Sequence, residues 1–317
     1  MKIAVMEKSA VTEGDIDFKP LDELCEVVYF DNVEYSGLKD AIGDAEGVIV
    51  NKSIVDAALM DTCPNLRYVG TFATGYNNVD VRAAKERGIV VCNVPDYSSD
   101  AVAQHAAGFI LMTASGLFDY ITSVRRGDWM KSRSFCYYPY YMTELKGKTL
   151  GVLGLGNIGK KVAALGKALG MNVIVHTRTR RADCVYETVD LNRLFKESDW
   201  LTLHVPLTPD TREIVCEKTL SLMKKSAVLI NTARGGLVNE RDLARALKEG
   251  VIRAACLDVL SAEPMKSDCP LFGLDNCYIT PHVAWAPRET RQRLIDIAAE
   301  NLRAFIAGKP VNDVTEG

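Results

Sequence analysis

Short apolar runs recur along the first third of the chain, with stretches of helical spacing between them. Ile3 to Met6, Glu26 to Tyr29, Gly47 to Val50, Arg67 to Thr71 and Ile89 to Asn93 are too short for helices and read as strands. Ile54 to Met60 and Val79 to Arg87 carry apolar residues at helical spacing. Strands alternating with helices in this way imply βαβ units and a parallel sheet. A second series opens at Thr149 to Leu153. It continues through Val173 to Val175, Leu201 to Val205, Ala227 to Asn231, Ala254 to Asp258 and Tyr278 to Thr280, each following a stretch that reads as a helix. The expected fold class is α/β, with two doubly wound parallel-sheet domains.

Two segments break the rhythm. Between Ala101 and Leu145 one long helix, Val102 to Ala114, is followed by a run dense in rings: Trp129, Phe135, Tyr137, Tyr138, Tyr140 and Tyr141. Such an arm is expected to bury its rings against the chain's own second domain or a partner subunit, or to contribute to a substrate pocket. The tail from Trp285 to Gly317 reads as one amphipathic helix with Leu294, Ile295, Ala298, Leu302 and Phe305 on one side. It is too small to be a domain. If it returns to the first series, residues 1–100 and 285–317 form a discontinuous domain and 101–284 are inserted into it, with the aromatic arm at 101–145. A ligand cleft is then expected between the two sheets.

A chain of 317 residues suits two such domains. Its formal net charge of -3, with Lys and Arg scattered, carries no nucleic-acid footprint. The N-terminus turns polar at Glu7, too soon for a signal peptide, and no apolar run reaches spanning length, so no membrane is expected. Nine cysteines are an odd number with no Cys-x-x-Cys among them, and they read as small core residues rather than a disulfide framework. Four histidines without a pair at ligand spacing argue against a metal site. These features point to a reduced, cytoplasmic protein.

The chemistry begins at Gly154-Leu155-Gly156-Asn157-Ile158-Gly159, which follows a strand and opens a helix. In that context the pattern is a dinucleotide-binding fingerprint. Gly154 permits a tight turn, Gly156 lets the backbone approach a pyrophosphate, and Gly159 brings helix and strand together, while the helix N-terminus stabilises the anion. The inserted domain is therefore expected to be a Rossmann domain. An NAD-specific site places Asp or Glu at the end of the next strand. Here the chain reads Val175-His176-Thr177-Arg178-Thr179-Arg180-Arg181. A hydroxyl beside arginines favours a 2′-phosphate, so the reading leans to NADP(H), with NAD(H) left open.

Hydride transfer to a 2-keto acid needs a cation to hold the carboxylate, an acid to protonate the carbonyl oxygen, and a carboxylate to keep that acid charged and oriented. Arg, His and Glu suit those tasks. Arg234, Glu263 and His282 each lie just after an expected strand, in Asn231-Thr232-Ala233-Arg234-Gly235-Gly236, Leu257 to Pro264 and Thr280-Pro281-His282-Val283-Ala284. The ends of parallel strands are where open sheets present ligand-contacting groups.

On these motifs the sequence closely resembles the D-isomer-specific 2-hydroxyacid dehydrogenase family over nearly its whole length. The resemblance implies a Rossmann domain inserted into a flavodoxin-like substrate domain. It also implies an NAD(P)-dependent enzyme acting on a small 2-keto or 2-hydroxy acid, and a homodimer joined through the nucleotide domain. By the same resemblance Arg234 binds substrate, Glu263 pairs with His282, and His282 is the acid/base. Thr74 and Gly75, in Ala73 to Asp80, match the loop that receives the substrate carboxylate, which domain closure would bring to the trio. Val102, within Asn93 to Ala103, matches the interdomain crossing near the nicotinamide and is a cofactor-binding position by the same resemblance. His204, Val205 and Pro206, with Thr232, Ala233, Asp258 and Ala284, match cofactor-lining positions, alongside Gly154, Gly156, Asn157, Ile158, Gly159, Thr177 and Arg178. Trp129, Phe135-Cys136-Tyr137, Glu144-Leu145 and His282 to Ala286 look most like the glycerate dehydrogenase or hydroxypyruvate (glyoxylate) reductase branch. The chain departs from the family at Gln104, often Glu there, and at Ala284-Trp285. The fold also resembles nicotinamide-sensing corepressors, an alternative in which the chain is a binding protein.

Overall fold

The computed structural model describes residues 1–178 and 184–316, which form two compact units. Thr179, Arg180 and Arg181, part of the arginine run read above, lie outside the described residues.

The first unit comprises Met1–Ser98 and Trp285–Gly317. Its sheet contains β1 (Lys2–Val5), β2 (Glu26–Tyr29), β3 (Gly47–Val50), β4 (Tyr68–Thr71) and β5 (Val90–Cys92), all parallel, in the order β2-β1-β3-β4-β5. That is the flavodoxin-like doubly wound order. Helices α1 (Lys19–Asp22), α2 (Leu38–Ile42), α3 (Ala57–Thr62) and α4 (Val81–Glu86) lie between the strands. Asp56 and Asp80 start α3 and α4 by accepting the amides of Leu59 and Ala83. β3 and β4 are buried on both faces, which is why Gly47 to Val50 and Arg67 to Thr71 read as continuous apolar runs rather than alternating ones.

The second unit, Ser99–Ala284, begins with α5 (Ser99–Ser115) and α6 (Leu117–Arg125). The sequence reading missed α6, because Gly116, at φ 60°, ends one helix and starts the next within a single residue. Seven parallel strands follow: β6 (Thr149–Leu153), β7 (Asn172–His176), β8 (Glu187–Thr188), β9 (Trp200–Leu203), β10 (Val228–Asn231), β11 (Ala254–Leu257) and β12 (Cys277–Ile279). Their order, β12-β11-β10-β9-β6-β7-β8, reverses at β6, the switch point of a Rossmann sheet. The two-residue β8 is too short to leave a hydrophobic signature. Helices α7 (Asn157–Ala168), α8 (Leu191–Glu197), α9 (Glu217–Leu220) and α10 (Glu240–Lys248) complete the unit. The sequence suggested a helix before every strand. The described chain from β11 to β12 has none, and this irregular connection carries Glu263.

The tail is not one helix. α11 (Arg288–Ile306) buries Leu294, Ile295 and Leu302 completely against the first unit's sheet, beside Ile3, Val5 and Tyr68. Each such side chain contributes about 1.5–3 kcal/mol of transfer free energy. Gly308, at φ 72°, and Pro310 then stop it. The remaining chain lies along β5, with the Val314 amide donating to the Val91 carbonyl at 2.8 Å.

The aromatic arm packs in part on its own unit, with the Arg253 guanidinium over the Tyr141 ring. Its rings pack on one another, as Tyr137 and Tyr140 do edge-on against Tyr120, yet Phe135 and Tyr138 remain 87% and 74% exposed. Among the described residues no single helix is long and apolar enough to cross a membrane.

Candidate active site

Arg234, Glu263 and His282 stand on loops after β10, β11 and β12, three neighbouring strands, so parallel pairing delivers all three to one edge of the sheet. Asn231, fully buried at the end of β10, shapes the first loop: its side chain accepts from the Ala233 amide at 3.0 Å and donates to the Arg234 carbonyl at 2.9 Å. The Arg234 side chain projects outward, and its guanidinium donates to the Ala233 carbonyl at 2.7 Å. Among the described residues no carboxylate pairs with it, which leaves a cation for an anion from outside.

Glu263 and His282 are bonded to each other. The Glu263 Oε2 lies 2.7 Å from His282 Nδ1, and its Oε1 accepts the Leu260 amide at 3.0 Å. A carboxylate at Nδ1 assigns the proton there and leaves Nε2, on the ring's opposite side, for other partners. His282 has φ 55°, an uncommon conformation for a residue with a side chain. Asp258 holds it. Its backbone carbonyl accepts the His282 amide at 2.9 Å, and its buried carboxylate accepts the Thr280 hydroxyl at 2.6 Å and the Val283 and Ala284 amides at 2.9 Å each. His105 of α5 backs this cluster, with Nε2 3.1 Å from the Thr280 hydroxyl and 3.8 Å from Asp258. Asn231, Thr280 and His105 were not singled out as site residues in the sequence; only the fold reveals what they touch.

The glycine-rich turn fits a dinucleotide. At Gly154, φ is 96° and a Cβ would lie 2.5 Å from the His204 carbonyl oxygen; at Gly159 it would lie 2.0 Å from the Gly154 oxygen. At Gly156 a Cβ would meet nothing within 4 Å, so the missing side chain there leaves open space in front of the α7 N-terminus. Asn157 and Ile158 belong to its first turn, where amides have no acceptor inside the helix. Thr177 and Arg178 follow β7, and Arg178 is exposed. Two polar atoms nearby are buried with no hydrogen-bond partner among the described residues: Oγ1 of Thr232, after β10, and Nδ1 of His204, after β9. Burial lowers the His204 pKa to about 3, so the ring is neutral, and its Nε2 lies 2.9 Å from the Thr202 hydroxyl. Orphaned polar atoms beside a glycine cradle are what a bound polar cofactor would satisfy. Val205 and Pro206 line the same strand end, Ala233 is half-buried next to Thr232, and Val102 and Ala284 are buried within the unit.

Thr74 and Gly75 belong to the first unit, on the loop after β4. There Thr74 donates to the Val94 carbonyl at 2.8 Å and its own carbonyl accepts from Asn93 at 2.7 Å. Asn78 ties the same loop to Ser53, whose amide, with those of Asn51 and Lys52, donates to the buried carboxylate of Glu7.

The family model for the D-isomer specific 2-hydroxyacid dehydrogenase NAD binding domain matches residues 107–284. The chain belongs to that family. It is a dehydrogenase of nicotinamide-dependent type. A hydroxypyruvate reductase of Blautia hydrogenotrophica is 40% identical over the full length of both chains. A glycerate dehydrogenase of Methylorubrum extorquens is 43% identical over 85% of each. Among solved structures, an NADPH-dependent glyoxylate/hydroxypyruvate reductase of Sinorhizobium meliloti superposes with a TM-score of 0.87. It is 33% identical, with 99% of this chain and 98% of that one covered. The corepressor alternative is not favoured by these relatives.

Proposed function

We propose that the dehydrogenase reduces hydroxypyruvate or glyoxylate to the D-2-hydroxy acid, with His282 as acid/base, Glu263 as its partner and Arg234 as the substrate-binding cation. The observation that carries this reading is the His282–Glu263 hydrogen bond of 2.7 Å, together with an exposed Arg234 on the loop after the neighbouring strand β10 that has no carboxylate partner among the described residues. Relatives named for these substrates at 40% and 43% identity support it. The bound nicotinamide supplies the hydride. Arg234 grips the planar carboxylate and polarises the adjacent carbonyl. His282 Nε2 gives its proton to the carbonyl oxygen as charge develops there, and Glu263 holds the ring in place through Nδ1. Thr74 and Gly75 are the substrate-binding residues of the first unit, which is the substrate domain, and the second unit is the nucleotide domain.

The cofactor is NADP(H). Thr177 stands where an NAD-specific site carries an acid, Arg178 is exposed beside it, and one solved relative is described as NADPH-dependent. The enzyme is a cytoplasmic homodimer. Nine cysteines, all free, suit a reducing compartment. On α6, Leu117, Ile121 and Val124 lie at helical spacing, 48%, 51% and 45% exposed, an apolar face that a second copy would cover. Steady-state kinetics over a panel of short 2-keto acids with NADH and NADPH tests the reading. Turnover of hydroxypyruvate or glyoxylate with NADPH preferred is expected; folded, cofactor-bound protein silent on the whole panel would overturn it.

A further inference from the structure

Glu263 can orient His282 only if Glu263 is itself held, and it lies on the irregular connection between β11 and β12. No helix or strand fixes the backbone there, so side chains must answer its amides. Two neighbouring amides are answered by carboxylates. Leu260 donates to Glu263 Oε1 at 3.0 Å, and Ser261 donates to Glu240 Oε1 at 2.6 Å. The first bond is internal to the loop. The second ties it to α10.

Glu240 is well placed for that task. It is half-buried and is the first residue of α10, where a carboxylate is favoured by the helix dipole. Asn239 caps the helix by accepting the Asp242 amide at 3.1 Å, and Leu243, Ala244 and Leu247 anchor it in the core. Among the described residues no cation pairs with Glu240, although Arg212, Arg241 and Lys266 line the same cleft. Its carboxylate is spent on a loop amide, in a charge-assisted hydrogen bond. On another side the Gly235 backbone abuts Leu260 and Ser261.

We infer that Glu240 is a positioning residue for the acid/base pair. It pins the Leu260–Ser261 peptide so that the Leu260 amide presents Glu263 to His282. The hydrogen bonds run in series: Glu240 to Ser261, Leu260 to Glu263, Glu263 to His282, at 2.6, 3.0 and 2.7 Å. The inference rests on the roles proposed above for Glu263 and His282.

The test compares Glu240→Ala and Glu240→Gln with Glu263→Gln in the intact enzyme. A glutamine at 240 still offers an acceptor oxygen without the charge. Reduction consumes a proton, so the pH profile of kcat/KM reports on the group that donates it. The Asp258 and Glu263 carboxylates and His105 remain around the His282 loop in both Glu240 variants. E240A should lower kcat/KM about tenfold, the scale of one such hydrogen bond. It should also change the pH profile of kcat/KM in the same way that E263Q changes it, and speed amide exchange at Leu260 and Ser261. E240Q should restore the wild-type pH profile and slow exchange. A wild-type pH profile in E240A would overturn the inference, as would an E240Q variant indistinguishable from E240A. If the wild-type enzyme reduces no 2-keto acid, the proposed function fails. Amide exchange, together with the imidazole Nδ1 proton resonance of His282, then still decides whether Glu240 orders the loop.

Discussion

A Cβ built on Gly235 would lie 1.9 Å from the carbonyl carbon of Leu260. The loop that carries Arg234 and the loop that carries Glu263 are therefore in backbone contact, and the absence of a side chain at 235 sets how closely they approach. Gly235→Ala meets backbone rather than a flexible side-chain tip, so the two loops must separate. The cost should be at least about 1–3 kcal/mol, the scale of overpacking. Denaturant unfolding should show the loss, and activity should fall further than stability accounts for. A G235A enzyme of wild-type stability and kcat/KM would contradict the contact.

Arg234 is expected to act through a planar, two-point grip on a carboxylate. Arg234→Lys keeps the charge and loses the second point. Hydride transfer should slow by about ten- to a hundredfold in kcat/KM, with NADPH binding unchanged by fluorescence titration. Equal loss of cofactor affinity would show that Arg234 serves the nucleotide instead.

Thr177 decides the cofactor in the proposed reading. Thr177→Asp places a carboxylate where the 2′-phosphate would sit. Its KM for NADPH should rise by about tenfold or more while that for NADH falls. A wild-type enzyme already preferring NADH would reverse the assignment.

His204, half-buried with its Nδ1 fully covered, carries a pH signature of its own. Its pKa is lowered to about 3 from 6.5, so the unfolded chain takes up a proton below pH 6.5 that the folded protein refuses. Stability from this residue is fully present above pH 6.5 and is lost as pH falls toward 3. His204→Gln removes the titration and retains a group that reaches Thr202. Unfolding free energy measured between pH 7 and 4 without cofactor should show a pH slope shallower by about one proton in the variant. Parallel slopes would mean that the ring is solvated.

The exposed face of α6 predicts the oligomeric state. Ile121→Asp places a charge in the middle of Leu117, Ile121 and Val124 without touching the core, because Ile121 is 51% exposed. Sedimentation should show a dimer for the wild type and a monomer for the variant. A monomeric wild type would remove the homodimer from the proposal.

Much of this was legible in the sequence, for a local reason. Strands buried on both faces write continuous apolar runs, and Gly47 to Val50 and Thr149 to Leu153 were read to the residue. The glycine turn is legible because each glycine answers a local steric demand. Arg234 and His282 lie three residues past strand ends, and Glu263 six residues past β11, positions that the strand pattern alone marks as candidates. β8, α6 and the end of α11 were not legible, since two residues carry no period and a single Gly116 or Gly308 changes the chain's direction without changing its composition.

By itself, then, the sequence determined two α/β sheets, the glycine cradle and the chemical types of the trio, because strand, turn and residue chemistry are set by near neighbours along the chain. Only the tertiary structure decided what holds the trio. Asp258 is 24 residues from His282 and Glu240 is 21 from Ser261, separations that parallel strand order closes and no local pattern records. The aromatic arm was decided the same way. Its composition calls for burial against the second domain or a partner subunit, and within this chain Tyr141 meets Arg253 while Phe135 and Tyr138 stand exposed, because a ring is covered only where packing brings another surface to it.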